Sequence, residues 1–438
     1  MLDGAGLSHF GLSGQLTDGE REEAHQLATS IDREGIGTYK VEGISVGEHA
    51  LAGALRFYAR GELDDGVGAE AVLRRYFEAA LLTYYATRRL LANGRYKVVV
   101  LNHGIYVPQG VIAETARQLG VRVVTWHPAY RRGCFIFNHD ETYHHGLLAE
   151  PVSLWDKMRW GEVHQKQIEN YLRSRWVGKQ DWVHFHRDPE FDLEAIRRET
   201  GIDLSRPIVG LLTNVVWDAQ LHYQANAFPS MLDWLRKTIT YFEKRPDLQL
   251  LIRVHPAEIT GTLPTRQPAV DEIRRAFPRL PANVFIIPPE SRLSTYVAMS
   301  HCNAVVIYGT KTGVELAATG VPVIVAGEAW IRGKGISLDA SSETDYFRLL
   351  GTLPLVARLD DATRERALKY AYHFFFRRMI PLECIAEKKG WPPFGVAIRS
   401  LSDLSPGSSQ GLDVICEGIL AGAPFIYPAE EMGCADVH

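Results

Sequence analysis

What this chain lacks narrows its function before any motif is read. No apolar run approaches the roughly 18 residues needed to span a bilayer, and Met1-Leu-Asp-Gly-Ala-Gly carries neither a basic nor an apolar signal region. The five cysteines (Cys134, Cys302, Cys384, Cys416, Cys434) are odd in number and form no C-x-x-C, which points to a reduced compartment. A cytoplasmic protein is expected, with any membrane association peripheral and at the inner face. Positive charge is not in excess either. A net charge of −4 argues against nucleic acid as a partner, because such binding depends on phosphate neutralisation. There is no G-x-G-x-x-G, no Walker loop and no H-E-x-x-H, and Ser/His/Asp hydrolase chemistry is set aside on the expectation that its G-x-S-x-G elbow is lacking. No D-x-D occurs, which disfavours a metal-dependent glycosyltransferase of the single-sheet kind. His139, Asp140, His144 and His145 do not have zinc-site spacing. No metal and no other cofactor is expected.

What is present begins with length. At 438 residues the chain exceeds one typical core, and two α/β domains are expected. Leu250-Leu-Ile-Arg-Val-His255 alternates with period two and is stopped by Pro256, which has no N–H to donate. Asn303-Ala-Val-Val-Ile-Tyr308 is a second strand, opening into Gly309-Thr-Lys-Thr-Gly-Val-Glu315. Gly320 closes the helix that follows, and Pro322-Val-Ile-Val-Ala326 is the next strand. In such parallel sheets ligands bind at the carboxyl ends of strands.

Upstream, Ala69–Leu91 reads as a helix, and Lys97–Asn102 and Val121–Trp126 as buried strands joined by a helix. No strand precedes Lys97, so the N-terminal sheet is expected to be incomplete. Residues 134–186 read as loops and helices over the sheet edge. The expected boundaries are 1–200, 201–355 with the nucleotide-binding half-site, 356–390, and a tail at 391–438.

The polar residues at strand ends are the candidate site. Arg253 and His255 would meet the donor phosphate, His255 as a cation or hydrogen-bond donor to the leaving group. The Gly309-Thr310-Lys311-Thr312-Gly313 turn offers backbone N–H groups to an anion. Glu315 has two readings: a capping box with Thr312, or a contact to ribose hydroxyls. Asn214 and Asp218 follow the first strand of the second sheet, with Trp217 either stacking on a ligand or buried. His103, in Asn102-His-Gly104, is a candidate general base, with Asp140 and Glu141 as rivals.

These stretches resemble the B-fold glycosyltransferases of capsular and surface polysaccharide biosynthesis. The resemblance rests on Leu212–Asp218, Arg253-Val-His-Pro-Ala-Glu258, Tyr308–Glu315 with Gly320-Val-Pro-Val323, and Arg332-Gly-Lys-Gly335. The His-Pro element is similar to that of Kdo transferases and CDP-glycerol glycerophosphotransferases, and the glycine turn also resembles UDP-GlcNAc 2-epimerases. The resemblance implies two Rossmann-like domains facing a cleft, with 1–200 as the acceptor-side domain and 356–390 as a helix packing back. His255, Thr310, Thr312 and Glu315 would contact the nucleotide, and His103 would be the base. It implies a nucleotide-sugar donor and an oligosaccharide, polysaccharide or glycolipid acceptor. The alternatives are a CDP-polyol phosphotransferase and a non-catalytic relative in an assembly complex.

Overall fold

The computed structural model describes residues 11–432 except 65, 179, 183–188, 219–224, 262 and 391. Cys434 and the first ten residues lie outside them. The described part opens on helices: α1 (Asp18–Ser30), α2 (Val46–Tyr58) and α3 (Val67–Leu91). The last buries Leu73, Phe77, Ala80, Leu81 and Tyr84, a stripe at helical spacing that packs on α1 and α2. No strand precedes β1 (Val98–Asn102) among the described residues, as expected. Helix α4 (Gln109–Gln118) then leads to β2 (Arg122–Pro128), and β1 and β2 are parallel.

The first sheet departs from expectation at β3 (Cys134–His139), which lies in the stretch read as loops and helices. It has no alternation to detect, since five of its six residues are buried. It runs antiparallel to β2 because only residues 129–133 connect them, far short of a parallel crossover. Strand β1 is a half-exposed edge rather than a buried strand, with Val100 open to solvent.

Helices α5 (Tyr143–Leu148) and α6 (Glu162–Arg175) carry the chain to the second sheet. Its strands are β4 (Ile208–Leu212), β5 (Gln249–Arg253), β6 (Val284–Ile287), β7 (Ala304–Ile307), β8 (Val323–Val325) and β9 (Leu338–Asp339). All pair in parallel in the order β6-β5-β4-β7-β8-β9. That order reverses between β4 and β7, which opens a crevice beyond their carboxyl ends. Helix α7 (Met231–Glu243) covers one face, while α8 (Thr295–His301) and α9 (Thr312–Ala318) cover the other.

Helix α10 (Asp361–Tyr372) packs against both α9 and α6, and a wide turn at His373–Arg377 carries the chain back to the first sheet. There β10 (Ile380–Pro381) pairs with β3. The tail forms a hairpin of β11 (Ile385–Glu387) and β12 (Phe394–Val396), then α11 (Gln410–Ala421) against β1. Phe425 stacks on His139 at 4.4 Å. One apolar core, holding Phe135, Trp155, Val314, Trp330, Tyr370 and Phe374, runs through both units without a break. The two-unit α/β architecture is borne out, with a mixed and smaller first sheet. Among the described residues no helix is long and apolar enough to cross a membrane.

Candidate functional site

The residues expected at the donor side divide sharply once placed. Arg253 is 2% exposed and donates to Thr295 Oγ1 at 3.2 Å, Ser291 O at 3.2 Å and Pro288 O. It is a strut beneath the crevice, not a phosphate ligand, because its donors are spent on carbonyls and a hydroxyl. Glu315 fits neither of its two readings. Helix α9 is preceded by Lys311 with no side-chain cap. Glu315 is 3% exposed and sits 2.9 Å from Lys311 Nζ and 3.1 Å from Arg175 Nε. Burial opposes its ionisation, but Arg175 and Lys311 outweigh that and hold it at about 2. Lys311 is committed to this pair and to the face of Tyr130 at 4.6 Å.

The glycine turn is less open than its spelling promised. Thr312 N–H donates to Thr310 Oγ1, Gly313 N–H to Thr310 O, and Val314 N–H to Lys311 O. What remains at the crevice is Gly309 with the side chain of Asn214. Asn214 Nδ2 lies 3.6 Å from where a Cβ on Gly309 would stand, and its buried Oδ1 has no partner among the described residues. His255 stands at the end of β5, where its N–H donates to Thr213 Oγ1 at 3.0 Å. Its Nδ1 accepts from Ala257 N–H at 3.1 Å, so the proton of the neutral ring resides on Nε2. The ring is thereby set as a donor, the role expected of it toward a phosphate.

The first sheet contributes His103 and His127 from the ends of β1 and β2. His103 (φ 35°) and Tyr106 (φ 66°) take left-handed backbone, which costs a non-glycine residue on the order of 1–3 kcal/mol. Gly104 (φ 75°) lies between them, and a Cβ there would stand 2.8 Å from Thr125 Cγ2. The turn aims Tyr106 across the cleft. Its hydroxyl donates to Asp218 Oδ1 at 3.2 Å, and Arg56 from α2 reaches the same oxygen at 2.8 Å. Asp218 is thus brought to His103 and its neighbours rather than to the donor side alone. Arg56 also lies over the Trp217 ring at 5.4 Å, and Trp217 is core, donating to Thr265 Oγ1.

Asp140 does not join His103. Its carboxylate accepts from Val123 N–H at 2.9 Å, at the amino end of β2 and away from the cleft. Each member of the histidine-rich stretch has its own structural partner. His139 bonds Ala423 O at 2.8 Å, and His144 bonds Glu328 O at 3.0 Å. His145 lies between Glu141 (3.4 Å) and Glu328 (3.3 Å). Contrary to expectation a G-x-S-x-G spelling does occur, at Gly407-Ser-Ser-Gln-Gly411, but it is no nucleophile elbow, because Ser409 caps α11 by accepting from Leu412 N–H and follows no strand.

Charge in the cleft follows from burial. Desolvation, then the fields of His127 and Arg56, lower His103 to about 3, so the ring is neutral at pH 7. His144 is lowered to about 4, by burial first. His145 is the exception. Burial opposes its charging, but Glu141 and Glu328 prevail and raise it to about 9. Because this folded-state value exceeds the unfolded one of about 6.5, the stabilisation is complete below pH 6.5 and fades as pH rises through 9. His145→Gln should therefore lower the urea midpoint at pH 6, and its gap to wild type should shrink by pH 9.5. A gap that widens would refute the pairing.

Sequence reasoning missed His127, Arg56, Tyr106 and Glu328. His127-Pro128 was detectable, since it closes β2 as His255-Pro256 closes β5. Arg56 and Tyr106 had no signal, because tertiary packing alone brings them to Asp218.

The family model described as capsule polysaccharide biosynthesis protein matches residues 185–371. The resemblance drawn from the motifs is borne out over that segment. Among curated proteins none matches the chain. Solved structures similar to it include a Thermosulfurimonas dismutans KpsC β-Kdo 2,4 transferase, at 15% identity and TM-score 0.39, covering 62% of this chain and 78% of that one. The KpsC β-Kdo 2,7 transferase of the same organism has 12% identity, TM-score 0.34, and coverage of 65% and 79%. A Neisseria meningitidis UDP-GlcNAc 2-epimerase has 12% identity, TM-score 0.31, and coverage of 80% and 95%. The roles assigned below rest on this chain's own residues.

Proposed function

We propose that this chain, whose residues 185–371 match the capsule polysaccharide biosynthesis model, is a metal-independent glycosyltransferase. It would move a sugar from a nucleotide-activated donor to a surface polysaccharide or glycolipid acceptor. The observation that carries the reading is an opposition of strand ends. The crevice between β4 and β7, with Asn214, Gly309 and the donor-set His255, faces His103 and His127 through the Arg56–Asp218–Tyr106 bridge.

Such a cleft supports transfer in three ways. It holds the donor phosphate against an N–H of His255, which stabilises the charge that develops as the bond to the sugar breaks. It keeps neutral imidazoles beside the acceptor, where a ring nitrogen is available to take up or hydrogen-bond the acceptor proton. It sets the two substrates side by side, which converts an encounter into an intramolecular step.

The test is unfolding of the full chain against CMP, CDP, UDP, GDP and ADP. A nucleotide at 100 times its dissociation constant should add about 2.7 kcal/mol of stability, read as a raised midpoint. A shift with one base identifies the donor class, and His255→Ala should abolish it. Failure of every nucleotide to shift the midpoint would remove the donor half of the proposal. Release of CMP from CDP-glycerol instead of a nucleoside phosphate from a nucleotide-sugar would move the assignment to polyol-phosphate transfer.

A further inference from the structure

The two imidazoles at the ends of β1 and β2 differ in where their proton resides. His127 Nδ1 lies 2.6 Å from Pro128 O. A carbonyl can only accept, so Nδ1 carries the hydrogen and the neutral ring leaves a lone pair on Nε2. Among the described residues the hydrogen bond of this ring is the one from Nδ1, which leaves Nε2 unbonded. His103 is the reverse. Its Nδ1 faces Ile105 N–H at 3.4 Å, and an N–H can only donate, so the proton of His103 resides on Nε2. The rings stand 6.3 Å apart, one prepared to accept a proton and the other to donate.

We infer that His127, not His103, is the general base that receives the proton of the acceptor hydroxyl, with His103 as a hydrogen-bond donor beside it. The inference rests on the transfer reading above. In that step the acceptor O–H bond breaks and its proton passes to His127 Nε2. The oxygen bonds the anomeric carbon of the donor sugar, and the bond from that carbon to the phosphate oxygen breaks, its electron pair leaving with the nucleotide.

Three further features suit His127 to this task. Its plane is fixed by stacking on Tyr143, at 4.6 Å and 18°. It ends a strand, a firmer mount than the left-handed turn that holds His103. The charges that face it are Asp218 and Arg56, with the neutral His103 and Tyr143 rings alongside. Burial lowers its basicity and Arg56 opposes its charging, but the Pro128 carbonyl and Asp218 favour its protonated form, while the charges that act on His103 both disfavour protonation.

Two measurements on the full chain decide the matter. Side-chain nitrogen NMR of the labelled protein at pH 7.5 should show His127 protonated on Nδ1 and His103 on Nε2; a proton on His127 Nε2 overturns the inference. Consumption of UDP-, CMP- and CDP-linked sugars, by transfer or by hydrolysis, gives the second readout. His127→Asn retains an amide N–H for Pro128 O and so preserves the local bond. It should lower kcat by about 100-fold or more, with KM for the donor unchanged and the acid limb of the pH profile lost. An active wild type with His127→Asn within twofold of it refutes the base assignment and leaves the transferase reading standing. A wild type that consumes none of these sugars overturns both.

Discussion

Replacing Arg175 by Met should cost about 3–5 kcal/mol of stability, the largest single effect expected in this chain. Arg175 is 6% exposed and lies between two carboxylates, Asp181 and Glu315, with the Tyr171 hydroxyl at 3.1 Å. Its charge is also set over the rings of Phe375 at 5.0 Å and Tyr130 at 5.6 Å. Methionine fills much of the same volume, so the loss would report charge rather than a cavity. Two buried carboxylates would then keep Lys311 and the hydroxyls of Tyr171 and Tyr296 but lose the guanidinium between them, and one must take up a proton or draw in water. Urea unfolding at pH 7 reads the effect, with the m-value unchanged if the variant keeps its compactness. Adding Glu315→Gln should recover part of the loss, because it removes one of the stranded charges. A loss below about 1 kcal/mol would mean that the cluster is hydrated and contributes little.

The second large effect concerns Glu150, which joins the two units and the returning helix. Its carboxylate meets Arg378 Nε at 2.9 Å and His373 Nε2 at 2.8 Å, and its carbonyl accepts from Lys334 Nζ at 2.6 Å. Burial opposes ionisation, but Arg378 outweighs it and the carboxyl is held at about 2. His373 contributes a hydrogen bond more than a charge. Burial keeps that ring neutral, and its Nδ1 accepts from Arg377 at 3.2 Å, which leaves Nε2–H for Glu150.

A carboxyl whose folded value lies below its unfolded value of about 4.5 stabilises fully above pH 4.5, and that contribution is lost as pH falls through 2. Glu150→Gln should therefore cost roughly 2–4 kcal/mol at pH 7, with the gap to wild type closing between pH 4.5 and 2. A gap that is flat across that window would show that the pairing with Arg378 does not exist in solution. Glu315 titrates in the same window, so the Glu150→Gln variant should itself still lose stability there.

The Glu150 cluster also explains the motif Arg332-Gly-Lys-Gly335, which the sequence singled out without a role. Lys334 is 2% exposed and donates to Leu148 O at 2.9 Å as well as to Glu150 O. Arg332 donates to Ala340 O at 2.8 Å and Gly327 O at 2.9 Å. Both cations are therefore pins. One fastens the second unit to the first, and the other folds the loop that presents Glu328 to His144 and His145.

Much of the fold was legible because it is written locally. Period-two alternation in Leu250–His255, the stop at Pro256, the Gly320 closure and the continuous run at Asn303–Tyr308 are short-range signals, and each is set by backbone chemistry within a few residues. The parallel second sheet followed from them, and so did the strand-end positions of His103, His255 and Gly309. The roles of those residues were less accessible. Arg253 looks like a phosphate ligand until its three donors are found engaged, and Glu315 looks like a cap until Arg175, 140 positions earlier, is seen beside it. Asp140 and Asp218 are both carboxylates following strands. Only the antiparallel return of β3 puts the first at the wrong end of the sheet, and only Arg56 and Tyr106 draw the second into the cleft.

The division has one physical cause. Sequence by itself determined β1, β2 and the main strands of the second sheet, though not β3, and which polar residues stand near their ends, since these depend on neighbours along the chain. Tertiary structure alone decided which of the polar residues are spent as struts and ion pairs and which face the cleft. It also decided which nitrogen of His103, His127 and His255 holds the proton. Those outcomes depend on hydrogen-bond partners and burial, and burial makes an unpaired charge too costly to keep, so the fold commits its buried cations and carboxylates to one another.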